Sequence, residues 1–114
     1  MNVLKYSFFR TAMVVSLLSS PTVGWADANV QLAHTKQCLA CHQIDSRRVG
    51  PAFTVIAERY AGAMGAQQYL ADTIRQGSRG KWGAIPMPAQ PQVGPLDASQ
   101  LASWILSLTD TLEP

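Results

Sequence analysis

The two cysteines of this 114-residue chain stand three residues apart, beside a histidine, as Cys38-Leu39-Ala40-Cys41-His42. In a helical turn, positions i, i+3 and i+4 share one face, so Cys38, Cys41 and His42 can all address a single flat ligand. A thioredoxin-like redox pair wants a βαβ setting, and no strand pattern precedes Cys38. A zinc site wants four ligands, yet only His34 stands nearby and there is no second cysteine pair. A short structural disulfide is the blandest alternative. The C-x-x-C-H spacing itself is that of c-type haem attachment, in which the two thiols form thioethers to the porphyrin and the adjacent imidazole reaches the iron. The rest of the chain supplies what a haem needs, which favours this reading.

Haem iron has a second axial position. Beyond residue 26 the methionines are Met64 and Met87, and the only other histidine is His34. Met87 stands in Gly80-Lys81-Trp82-Gly83-Ala84-Ile85-Pro86-Met87-Pro88, where flanking prolines restrict the backbone and so aim the side chain. Met64, in Ala61-Gly62-Ala63-Met64-Gly65, reads as a gap filler near the core. His34 lies four residues before Cys38 and reads as a polar surface residue, because His42 already supplies an imidazole. Met87 is therefore the expected sixth ligand. A His42/Met87 pair would saturate the iron, and the soft thioether would favour the ferrous state.

The N-terminus reads as an address. Lys5 and Arg10 precede an uncharged run of 16 residues, Thr11 to Ala26, that ends in Gly24-Trp25-Ala26. This is the pattern of a secretory signal peptide cut after residue 26, with Ala28 as a second possible cut. The alternative, a membrane anchor, wants roughly 20 apolar residues without the Pro21 and Gly24 found here. Removing residues 1–26 from 114 leaves 88, enough for one domain, 27–114, and for no second core. Lys5 and Arg10 leave with the signal, so 9 basic residues become 7 against 7 acidic ones and the formal net charge falls to zero. That balance excludes a strong general attraction to nucleic acid, and no stable membrane insertion is expected. Export to the periplasm is an oxidising destination, where a cysteine pair could bridge, but the spacing points to haem instead.

The remaining pattern predicts an all-α fold of about four short helices and loops. Asn29 is placed to cap a first helix that presents Val30, Leu32 and Ala33. Pro51 is placed to start a second, in which Phe53, Ile56, Ala57 and Tyr60 form a buried stripe. Residues 66–76 form a third, with Tyr69, Leu70 and Ile74 for packing and Gly77 as its stop. Residues 77–95 are punctuated by Gly and Pro and predict extended loop. For the last helix, Asp97 reads as the cap, Gln100 as the capping-box partner and Leu96 as a staple on Leu101, with Leu101, Trp104, Ile105 and Leu108 inward.

Over nearly the whole mature chain the sequence resembles the small bacterial class I cytochromes c, and within them the cytochrome c-551 type that shuttles electrons in the periplasm. The residues that carry the resemblance are Cys38-Leu39-Ala40-Cys41-His42, Val49-Gly50-Pro51-Ala52, Gly77 to Pro88, and the C-terminal helix with Trp104. The run Trp82-Gly83-Ala84-Ile85-Pro86-Met87-Pro88 is more specific than C-x-x-C-H alone. The resemblance implies the class I cytochrome c fold wrapped around one haem c, attached through Cys38 and Cys41. It implies that the Pro51 carbonyl accepts a hydrogen bond from His42 Nδ1–H, and that the Trp82 indole N–H reaches a haem propionate. It also implies an electron-transfer protein rather than an enzyme, acting as a monomer with transient redox partners at the exposed haem edge.

One position departs from the family pattern. Thr73 stands where members carry an arginine paired with a propionate, and Arg75, two residues on, points to a different helix face. A weaker cationic partner predicts a somewhat lower potential with pH dependence near neutrality. Gln37, Val49, Pro51, Ile85, Pro86 and Pro88 are candidates for a docking patch, with Lys36, Arg47, Arg48, Arg79 and Lys81 to steer approach. An open-iron haem enzyme and a dedicated subunit of a dehydrogenase or reductase complex are the alternatives to a free carrier.

Overall fold

The computed structural model describes residues 19–22 and 24–111. Most of the proposed signal segment, including Lys5 and Arg10, lies outside the described residues. Four helices follow in order: α1 (Trp25–Thr35), α2 (Phe53–Tyr60), α3 (Ala66–Gln76) and α4 (Pro95–Ser107). A 3₁₀ turn at Cys38–Ala40 carries the cysteine motif, and another at Leu108–Thr111 follows α4. Among the described residues the sole extended pairing is an isolated antiparallel bridge between Ser78 and Met87. No helix among them is long and apolar enough to cross a membrane.

The expected apolar stripes are the ones buried, except that Tyr60, expected at the end of the α2 stripe, is only half-buried. Phe53, Ile56 and Ala57 of α2, Leu70, Ala71 and Ile74 of α3, and Leu101, Trp104 and Ile105 of α4 meet in one core, joined by Ala33, Val93 and Leu108. Helix α4 is the hub, packing on α1, α2 and most extensively on α3. Its small buried residues, Ala98 and Ala102, let the other helices approach closely.

Helix starts are where sequence reading and structure part. Helix α1 begins at Trp25 behind Gly24, so Asn29 is interior rather than a cap. It is buried, donates from Nδ2 to the Trp25 carbonyl at 2.8 Å, and accepts from Gln100 Nε2 at 3.0 Å. Gln100 is thereby drawn off any capping box. Helix α4 starts at Pro95 behind Gly94, three residues earlier than an Asp97 cap allows. Proline suits that first position because the amide it lacks would go unpaired there anyway. Asp97 sits inside the first turn and pairs with Lys36 at 3.0 Å, tying α1 to α4. Leu96 is 86% exposed and staples nothing, while Met64 is fully exposed rather than filling the core. Tyr69 also departs from the packing expected of it: it is 38% exposed.

Helix α2 has no side-chain cap. Its first amides, of Phe53 and Thr54, donate instead to the Gln43 and Ile44 carbonyls at 2.9 and 3.0 Å. Those carbonyls directly follow His42, so the unsatisfied end of α2 anchors the chain that leaves the motif. Pro51 lies two residues ahead of the helix rather than within its first turn.

Candidate functional site

Gln37 sets up the motif. It is the one non-glycine residue with positive φ among those described, at +66°, and it turns the chain from the end of α1 into the cysteine turn. The His42 amide then donates to the Cys38 carbonyl at 3.0 Å, an α-helical spacing. Cys38 and Cys41 are unbridged, the first half-buried and the second exposed. Burial pushes the Cys38 thiol above its ordinary range.

His42 is buried, and its Nδ1 lies 2.7 Å from the Pro51 carbonyl oxygen. A carbonyl can only accept, so Nδ1 carries the proton and Nε2 keeps its lone pair free for a metal. The imidazole stacks on Phe53 with centroids 5.0 Å apart and planes at 17°, and Phe53 meets Trp104 edge-on at 5.4 Å. Gly50 closes on the same ring. A β-carbon there would lie 2.5 Å from His42 Cε1 and 2.9 Å from Nδ1. Both the Gly50 and the Val49 amide donate to the Cys41 carbonyl, at 2.8 and 3.1 Å, folding the loop back over the motif. Gly50→Ala is expected to swing the imidazole away from Pro51 and to cost about 1–3 kcal/mol of stability, the range for overpacking a filled site. Thermal unfolding together with the visible spectrum checks this; a variant matching the parent in both would contradict it.

The Met87 segment is held as firmly. Met87 exchanges both backbone bonds with Ser78, at 2.9 and 3.0 Å, and the Gln90 amide donates to the Ile74 carbonyl at 3.1 Å. Gly77, which ends α3 with φ +78°, lies so close that a β-carbon would be 2.5 Å from the Met87 oxygen.

These pieces surround one cleft, with about 1310 Å³ of empty space partly open to solvent. Cys38, Cys41, His42, Gly50 and Pro51 line it from the motif, and Trp82, Ile85, Pro86, Met87 and Pro88 from the loop. Phe53, Ile56, Leu70, Ile74, Leu101 and Ile105 give its inner surface. All six predicted site residues are thus brought together: Cys38, Cys41, His42, Pro51, Trp82 and Met87. A cleft that is apolar within, with two unbridged thiols and a histidine of fixed tautomer at one side, fits a flat apolar macrocycle attached through thioethers. His34 is exposed and outside the lining.

Charged and polar groups gather at the mouth. Thr73 lines the cleft, but its Oγ1 donates to the Tyr69 carbonyl of its own helix at 2.8 Å. Arg75 is exposed and outside the lining, whereas Lys81 and Arg47 are in it. Tyr60 and Tyr69 lie with ring centroids 5.3 Å apart and are hydrogen-bonded. Burial pushes the Tyr60 phenol up, and the bond from Tyr60 holds the Tyr69 phenol down. Of the docking candidates, Gln37, Val49, Ile85, Pro86 and Pro88 are exposed at the rim, but Pro51 is buried. Lys36 is likewise committed, to Asp97 and to the Gln92 carbonyl.

Comparison with known proteins agrees with this geometry. A sequence model of the family described as Cytochrome c matches residues 27–109. Cytochrome c-552 of Hydrogenobacter thermophilus is 49% identical over 81 residues, covering 71% of this chain and 82% of that protein. Cytochrome c-551 of Pseudomonas aeruginosa is 43% identical over 98 residues, covering 82% of this chain and 93% of that one. The crystal structure of wild-type Nitrosomonas europaea cytochrome c552 superposes with a TM-score of 0.69 at 48% identity, covering 70% of this chain and 99% of that one. The chain belongs to the cytochrome c family, as one of its small class I members with the class I fold. It carries covalently bound haem c at Cys38 and Cys41 and is an electron-transfer protein rather than an enzyme. Bound in the cleft, the haem supplies a one-electron iron couple.

Proposed function

We propose that the chain, once freed of residues 1–26, works in the periplasm as a monomeric carrier of single electrons, with its haem iron held between His42 and Met87. The observation that carries this reading is that Met87 lines the same cleft as His42, on a backbone pinned by the paired bonds to Ser78. His42 keeps its Nε2 oriented through Pro51, and Met87 offers a soft sulfur that raises the potential. His42 and Met87 would together hold the iron in both oxidation states, so the bound haem would supply its one-electron couple with little change in geometry. Trp82 is the donor toward a propionate, and Thr73 leaves that propionate a weaker cationic partner.

Partners dock transiently where Cys41, Val49, Ile85, Pro86 and Pro88 reach the surface, a small apolar rim suited to brief encounters. Arg47, Arg48, Arg79 and Lys81 steer the approach. A cut after Ala26 would also remove Trp25, whose carbonyl accepts from Asn29 Nδ2, and leave Asn29 held through its Oδ1 by Gln100.

Carbon monoxide separates this reading from an open-iron enzyme. The reduced wild-type protein is expected to leave carbon monoxide unbound, and Met87→Ala to bind it. Ready binding by the wild type would overturn the His42/Met87 ligation.

A further inference from the structure

Arg59 belongs to none of the sequence motifs and lies on the exposed end of α2, where a solvated cation is the ordinary expectation. Its guanidinium is instead placed on three groups. Nη1 donates to the Lys81 carbonyl at 2.7 Å, across 22 residues of sequence. Cζ lies 4.4 Å above the Trp82 ring, and 5.8 Å from the centroid of Tyr60.

These contacts bridge helix α2 to the glycine-flanked stretch of the loop that leads to Met87. Helix α2 is anchored at its start by the carbonyls of Gln43 and Ile44 and along its face by the core. The loop that leads to Met87 is tied at its ends through Ser78 and Met87, but between them stand Gly80 and Gly83, at φ +68° and +119°, with open space around both. Arg59 takes hold between those glycines. A planar guanidinium can stack on an indole and still donate from its edge, whereas an ammonium offers a point charge and cannot do both.

We propose that Arg59 is a positioning residue for the haem cleft. Stacked on Trp82 and bonded to the Lys81 carbonyl, it latches the Met87 loop onto α2 and sets a fixed positive charge beside the indole, where Thr73 leaves α3 without one. The proposal rests on Met87 being an axial ligand. Loosening the latch raises the fraction of molecules in which Met87 leaves the iron, and removing the charge favours the ferric form.

The test uses the ferric holoprotein with imidazole as competing ligand, alongside the midpoint potential, in Arg59→Gln, Arg59→Lys and Met87→Ala. Arg59→Gln is expected to bind imidazole about tenfold more tightly than wild type, the combined effect of a lost cation–π contact and one hydrogen bond, and to show a lower potential. Arg59→Lys keeps the potential near that of wild type, yet still binds imidazole severalfold more tightly. A general loss of stability would not separate the two readouts in this way. If both Arg59 variants bind imidazole as weakly as wild type while Met87→Ala binds it tightly, the latch is overturned and the ligation stands. If wild type already binds imidazole as tightly as Met87→Ala, the ligation fails and this proposal with it. An unchanged potential in Arg59→Gln overturns the role of the charge.

Discussion

His42→Ala, and likewise Cys41→Ala, is expected to yield a chain without stable helical structure. The inner surface of the cleft is built from Phe53, Ile56, Leu70, Ile74, Leu101 and Ile105, which come from three of the four helices. Without the attached macrocycle that surface meets water, and the helices lose the body that joins them. The imidazole is also a structural piece, buried against Phe53, which in turn meets Trp104. A domain of about this size has little stability in reserve and commonly depends on a staple. The loss should therefore exceed about 5 kcal/mol, the whole stability of a marginal domain. Far-ultraviolet circular dichroism of the purified variant is the measurement, and native helicity without bound haem would refute the expectation.

Gly77→Ala should produce the next largest effect. At φ +78° and ψ 177° the backbone is in a region open essentially to glycine alone, which costs another residue about 1–3 kcal/mol. The added methyl would also lie 2.5 Å from the Met87 oxygen and 2.8 Å from the Ala89 nitrogen. Both are backbone atoms, so no side chain can swing aside to make room. Relief requires opening the Ser78–Met87 bridge, at roughly 1 kcal/mol for each of its two hydrogen bonds. We expect a destabilisation of about 3 kcal/mol together with a haem spectrum altered toward that of Met87→Ala. A Gly77→Ala protein with the parent's melting temperature and spectrum would show that the contact is not needed.

Sequence reading was most successful where one local rule acted alone. The spacing of Phe53, Ile56 and Ala57, and of Leu101, Trp104 and Ile105, buries those faces because a helical stripe has nowhere else to go. It was least successful where two rules competed for the same residue. Asp97 and Gln100 make a good capping box on paper, yet Pro95 starts the helix sooner, Lys36 takes the carboxylate and Asn29 takes the amide. Met64 shows the limit of composition, for an apolar side chain in a Gly/Ala turn has no partner to bury it and stands in solvent. Arg59 was invisible because its partners, Lys81 and Trp82, are distant in sequence and carry no spacing rule.

Gly50 and Gly77 draw the same boundary. As letters they mark a turn and a helix stop, which needs knowledge only of the chain's own conformational freedom. That Gly50 presses on the imidazole and Gly77 on the Met87 backbone depends on which distant segments come together. The covalent attachment and the helical stripes could be read from local chemistry, because short-range geometry governs them. Which nitrogen of His42 faces the ligand, how Met87 is pinned and where the cations stand follow from long-range packing, because no single segment contains both partners of those contacts.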